Sequence, residues 1–165
     1  ALDDGSPEEN DYTKFVKLRK KLEEKTTEEA LSEIEKLLVI KSYKDNRFLK
    51  SHLASLYSKI GNPEKACRIY EEIVAASAGK DLFNKKLLGY SLVKSGKYDE
   101  GAQVLFDLIV SSINDKPYQK ILARGIKNSG KEDEYIEKVK ELLNIYPQIK
   151  NNYYPLLAEI KKAKA

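Results

Sequence analysis

One cysteine, Cys67, and one histidine, His52, stand in a chain of 165 residues that has no methionine and no tryptophan. A single thiol forms no internal disulfide, and one Cys with one His falls short of the ligand set of a structural zinc site. Neither residue reads as a catalyst. His52 has no orienting partner close by for general-base work, and Cys67 follows Ala66 at a place suited to a small core side chain. Apolar runs are short as well: residues 37–40 and residues 104–110, the latter interrupted by Asp107, fall far below the ~20 residues that cross a bilayer. No phosphate loop, GxSxG elbow or HExxH pair occurs. The expectation is therefore a non-enzymatic chain with no cofactor and no metal. A chain without an initiator methionine is what processing or excision leaves. Localisation accordingly stays open between the cytoplasm and, with a signal removed ahead of residue 1, a bacterial periplasm or cell envelope.

What is present points to a folded domain. Hydrophobic residues make up 41% and charged residues 34%, with too much periodic Leu, Ile and Tyr for a disordered chain. Residues 1–10 carry acids, Gly, Ser and Pro without hydrophobic periodicity and read as a flexible tail.

An internal repeat decides the rest. Leu53-Ala-Ser-Leu-Tyr-Ser-Lys-Ile-Gly61 compares with Leu88-Gly-Tyr-Ser-Leu-Val-Lys-Ser-Gly96 and Leu122-Ala-Arg-Gly-Ile-Lys-Asn-Ser-Gly130; the glycines are 35 and 34 residues apart. Eight positions before each glycine stands Leu53, Leu88 or Leu122, and beside it a small residue, Ala54, Gly89 or Ala123. Tyr57, Leu92 and Ile126 precede the glycine by four; Tyr70, Leu105 and Val139 follow it by nine. Ala66 and Gly101 keep a second small position, which Tyr135 breaks. Each unit thus predicts two amphipathic helices around a positive-φ glycine, with the small residues letting the helices approach. Helix starts are marked at Asn62-Pro63 and by the Thr26/Glu29 capping box.

These features resemble tetratricopeptide repeats: a 34-residue unit, Leu followed by a small residue, a turn glycine, a second small residue, and a closing proline, here Pro147. The resemblance spans roughly Asp11 to Pro147 and thins toward the N-terminus, where Lys25 stands in place of the turn glycine. It implies an all-α, right-handed α-α superhelix of about four hairpins (11–42, 47–80, 82–115 and 116–147), plus a capping helix in 148–165 that places Tyr153, Leu156, Leu157 and Ile160 on one face. Nine helices are expected, with Pro155 in the first turn of the last.

By the same resemblance, the first helix of each hairpin lines a concave groove. Charged residues on the three clear first helices are Arg47, Lys50 and Lys59; Lys85, Lys86 and Lys94; and Lys116, Lys120, Arg124 and Lys127, with no acid among them. The second helices are balanced or acidic. Positions ten and six before the glycine, which point into the groove in tetratricopeptide proteins, hold Ser51 and Ser55, Lys86 and Tyr90, and Lys120 and Arg124. Together with Lys59, Lys94 and Lys127 these residues are the expected partner-binding set, an unopposed basic lining suited to carboxylates on a protein segment. The Lys/Asn carboxylate clamp of some tetratricopeptide proteins is not reproduced, since Tyr90 replaces its first Asn. Tyr90, Tyr118, Tyr153 and Tyr154 are expected to be the more exposed tyrosines, and the Glu132–Glu141 run an ordinary solvated helix face.

Three functional expectations follow. The first is a protein-interaction scaffold that holds an acidic partner segment. The second is RNA binding of the pentatricopeptide kind, disfavoured because Lys86 and Lys120 stand where small polar base readers are usual. The third is a structural spacer in a larger assembly, self-associating through its terminal helices.

Overall fold

The computed structural model describes residues 10–163. Residues 1–9 of the expected tail and the last two residues of the expected cap lie outside the described residues, whereas Asn10, placed in the tail, is the N-cap of the first helix. Among those described there are ten α-helices and no strand. In order they are α1 (Asp11–Glu23), α2 (Thr27–Leu37), α3 (Arg47–Lys59), α4 (Pro63–Ala76), α5 (Leu82–Lys94), α6 (Tyr98–Phe106), α7 (Ile109–Ser112), α8 (Lys116–Ser129), α9 (Glu132–Ile145) and α10 (Lys150–Lys162).

Local chemistry sets the starts. Asn10 caps α1 by accepting from the Thr13 amide at 2.9 Å, and Asn62 caps α4 with Pro63 in its first turn. Thr26 and Glu29 exchange both bonds of a capping box at α2. The ends between paired helices use left-handed glycines: φ is 80° at Gly61, 84° at Gly96 and 74° at Gly130. Only a residue without Cβ takes that conformation at little cost, and it reverses the chain within a few residues.

Packing follows the small residues. A Cβ placed on Gly89 would stand 2.5 Å from the Leu105 side chain, and one on Gly101 would stand 2.6 Å from Val93 Cγ2 and 2.9 Å from the Val93 backbone nitrogen. α5 and α6 are therefore tightly packed, as are α3 and α4 across the fully buried Ala54 and Ala66. Where Tyr135 replaces the small residue, α8 and α9 touch sparsely, and α8 packs instead on α6 and α10. At the N-terminus the first pair is open: α1 and α2 both lean on α3 and hardly on each other. Two apolar clusters result. One runs from Leu22 through Tyr70 to Leu92, the other from Val93 through Tyr118 to Ile160, so α5 contributes adjacent residues to both.

Three local expectations are corrected. The second helix of the third pair is interrupted, which makes ten helices instead of nine. The Tyr118 hydroxyl donates to the Leu105 carbonyl, and the Leu108 amide takes the same carbonyl in a tighter turn at 3.0 Å, so the regular ladder stops at Phe106. Pro155 lies in the interior of α10, because a 3-10 turn over Pro147–Ile149 leads into a helix that already begins at Lys150. A proline there withholds the amide that would reach the carbonyl of Asn151. Tyr118 and Tyr153 are buried, not exposed, whereas Tyr154 is largely exposed. The buried Tyr118 hydroxyl is satisfied by the Leu105 carbonyl, which it shares with the Leu108 amide.

Candidate functional site

Two adjoining depressions lie across the first helices α1, α3 and α5. A cavity of about 640 Å³ between α1, α3 and α5 is lined by Phe15, Phe48, Ser51, His52, Ser55, Lys59, Phe83, Asn84 and Leu87, together with the charged Arg19, Glu23, Arg47 and Asp81. A smaller one of about 280 Å³ lies beside it between α3 and α5, formed by Ser55, Ser58, Lys59, Tyr70, Leu87, Tyr90, Ser91 and Lys94. Ser55, Lys59 and Leu87 belong to both. Of the expected binding set, the structure thus brings together Ser51, Ser55, Lys59, Tyr90 and Lys94. Lys86, Lys120, Arg124 and Lys127 line neither depression.

Hydrogen bonds fix part of this lining. Ser51 Oγ donates to Asn84 Oδ1 at 2.7 Å, linking one repeat to the next, and Asn84 Nδ2 donates to Asp81 Oδ2 at 2.8 Å. Ser55 Oγ donates to the His52 carbonyl at 3.1 Å. Burial, and then the positive charges of Lys59 and Arg19, push the His52 imidazole below its usual value, so it is neutral at pH 7. Burial and then the Asp115 carboxylate push the Tyr90 hydroxyl up to about 12, which keeps it a neutral donor. Burial, and then Cys67, push the Tyr70 hydroxyl in the same direction, also to about 12.

The expectation of an unopposed basic lining needs correction in part. Among the ten cations on α3, α5 and α8, four are ion-paired: Arg47 with Asp81 at 3.3 Å, Lys85 with Asp107 at 3.3 Å, Lys86 with Asp115 at 3.6 Å, and Lys127 with Glu132 at 3.6 Å. The reason lies in the capping positions. Asp81 and Asp115 stand just before α5 and α8, where an acid favours the helix start, and from there each reaches a cation of the preceding repeat. Lys59, Lys94, Lys120 and Arg124 are exposed and make no ion pair among the described residues.

Sequence reasoning missed the aromatic part. Phe48 and Phe83 stand thirteen positions before the turn glycines Gly61 and Gly96, so the repeat itself carried the signal. Phe15 lies 6.3 Å from Phe48 in a stacked arrangement and 5.8 Å from His52, edge-on. His52 and Cys67 behave as minor structural residues: Cys67 is buried, and its thiol is pushed up chiefly by burial.

Helical pairs turned by left-handed glycines and stacked through small residues define a class, the tetratricopeptide-like right-handed α-α superhelix. Solved structures of MamA share it. MamA of AMB-1 superposes with a TM-score of 0.56 at 20% identity over 82% of each chain, and a point mutant of MamA with a TM-score of 0.60 at 21% identity over 93% of this chain and 94% of its own. No family model and no curated protein matches the sequence. Identity at this level speaks for the fold.

Proposed function

We propose that this chain is a non-enzymatic interaction module that holds an acidic segment of a partner protein along its first helices. The observation that carries this reading is the pair of adjoining depressions across α1, α3 and α5, with the exposed and unpaired ammonium groups of Lys59, which lines both, and Lys94, which lines the smaller. Stacked helical repeats present long continuous surfaces of this kind. Lys120 and Arg124 on α8 extend the same positive character toward the C-terminal half, while Lys86 and Lys127, tied to Asp115 and Glu132, contribute a weaker field.

A fluorescein-labelled oligoglutamate peptide titrated by anisotropy tests the reading. The wild-type chain is expected to bind it, and Lys59→Glu with Lys94→Glu to weaken binding at least tenfold, with helicity unchanged by circular dichroism. Equal affinity for both proteins would remove the groove from the argument. Tighter binding of oligouridine than of the peptide, falling steeply with salt, would replace a protein ligand with RNA.

A further inference from the structure

The cavity between α1, α3 and α5 holds more aromatic surface than capture of carboxylates requires. Three of the chain's four phenylalanines, Phe15, Phe48 and Phe83, line it. They come from three successive first helices, and Phe48 and Phe83 occupy equivalent places in their repeats. The rings are not equally covered. Tyr12 meets Phe48 edge-on at 5.2 Å, Phe15 stacks against it, and the Arg47 guanidinium lies 4.7 Å from its centroid. Phe83 has no aromatic or cationic partner among the described residues and is 70% exposed, at the open side of the same cavity. The equivalent place in the following repeat holds Pro117, so no next ring continues the series.

Four of the charged residues lining the cavity pair with one another. Arg19 pairs with Glu23 at 3.0 Å and Arg47 with Asp81 at 3.3 Å. His52, neutral at pH 7, adds no charge to the floor. Net positive charge comes from Lys59, which with Ser55 and Leu87 belongs to both depressions, and from Lys94 in the smaller one, so the apolar and cationic parts are contiguous. The larger volume, about 640 Å³, lies in the range of about 300–1,000 Å³ that takes a small organic group.

We infer that the bound segment is not merely acidic but carries an aromatic anchor: its ring enters the cavity against Phe48 and Phe83, and a carboxylate within a few residues reaches Lys59 and Lys94. Aromatic rings prefer edge or offset contact with other rings, and Phe83 offers an uncovered one. The ring supplies most of the affinity and the carboxylate fixes the direction in which the segment lies. This inference rests on the interaction module proposed above, and its failure is separable from failure of that reading.

The test is selection of a displayed random-dodecapeptide library on the full chain. The enriched peptide is then synthesised, alongside a version with its aromatic residue changed to Ala. The expected enrichment is Phe, Tyr or Trp within a few residues of Asp or Glu. Removing the ring from the peptide, or changing Phe83→Ala in the protein, is expected to weaken binding roughly tenfold, and the two losses are expected not to add. Phe83 is exposed, so its replacement leaves the helices intact, as circular dichroism will check. Enrichment of acids without aromatics, or indifference to Phe83→Ala, overturns the anchor and leaves the basic groove standing. Enrichment of aromatics whose binding ignores Lys59→Glu with Lys94→Glu overturns the carboxylate half and with it the basic groove. No enrichment at all overturns both.

Discussion

The Tyr135 hydroxyl donates to the Asp99 carboxylate at 2.8 Å, and the Lys131 ammonium reaches the other oxygen of the same carboxylate at 2.7 Å. Tyr135 is the residue that breaks the small-residue rule of the repeat, and this contact is where its bulk goes. The ring is 2% exposed and lies 5.8 Å from Phe106, while its hydroxyl crosses from α9 to the start of α6. α9 is thereby held to the preceding repeat by a polar contact in place of close packing on α8.

That contact gives the first prediction. Tyr135→Phe keeps the ring and loses the bond, and is expected to cost about 1 kcal/mol in urea unfolding. Lys131, and then Tyr135, hold the Asp99 carboxyl below its ordinary range. The unfolded state therefore binds more protons than the folded state near that range. The contribution is complete above about pH 4 and is lost as pH falls through the folded value. The stability gap between wild type and Asp99→Asn is expected to narrow as pH falls below about 4. A gap that stays constant as the pH falls would show that the carboxylate is not the stabilising form.

Gly101→Ala tests the close approach of α5 and α6. Helix propensity alone would favour alanine by about 1 kcal/mol. The added methyl, however, would meet the Val93 side chain at 2.6 Å and its backbone nitrogen at 2.9 Å, and Val93 is fully buried. Overpacking of this kind costs about 1–3 kcal/mol, and backbone cannot yield as a side-chain tip can. A net loss of about 2 kcal/mol is expected. A variant that melts at or above the wild-type temperature would mean the helices are farther apart than described.

Asn46→Ala tests the fastening of the open first pair. The Asn46 side chain accepts from the amides of Phe48 and Leu49, each at 3.1 Å, and donates to the Asp11 carbonyl at 2.9 Å. One buried amide thus caps α3 and pins the start of α1. Loss of the cap costs about 1 kcal/mol, and the unpaired carbonyl adds to it. Amide exchange in α1 is expected to accelerate well before exchange in α3. Uniform acceleration throughout the chain would instead place α1 and α3 in one cooperative unit.

The repeat made most of the architecture legible. Turn glycines, Leu beside a small residue, and the capping residues Thr26 and Asn62 act within a few positions of themselves, so their spacing alone reports the helices they make. Apolar residues at helical spacing marked Leu53, Leu88, Leu122, Leu156 and Ile160, which are buried, and Leu157, which is half-buried. The interruption after Phe106 was not legible, because it depends on a hydroxyl twelve to thirteen residues downstream, Tyr118, finding the Leu105 carbonyl. The candidate site was half legible: Ser51, Ser55, Lys59, Tyr90 and Lys94 meet at two depressions, while Phe48 and Phe83 beside them passed unremarked.

By itself, then, the sequence determined that the chain forms paired helices, where they turn, and which faces they bury, because these depend on backbone preference and short-range periodicity. Tertiary structure decided which lysines stay unpaired and which aromatic rings face solvent. Asp81 and Asp115 stand just before α5 and α8 but reach cations one repeat earlier, and Phe48 is covered by Tyr12 and Phe15 from another helix. Charge pairing and ring coverage are set by neighbours across the stack, and a linear pattern does not specify how far each side chain reaches.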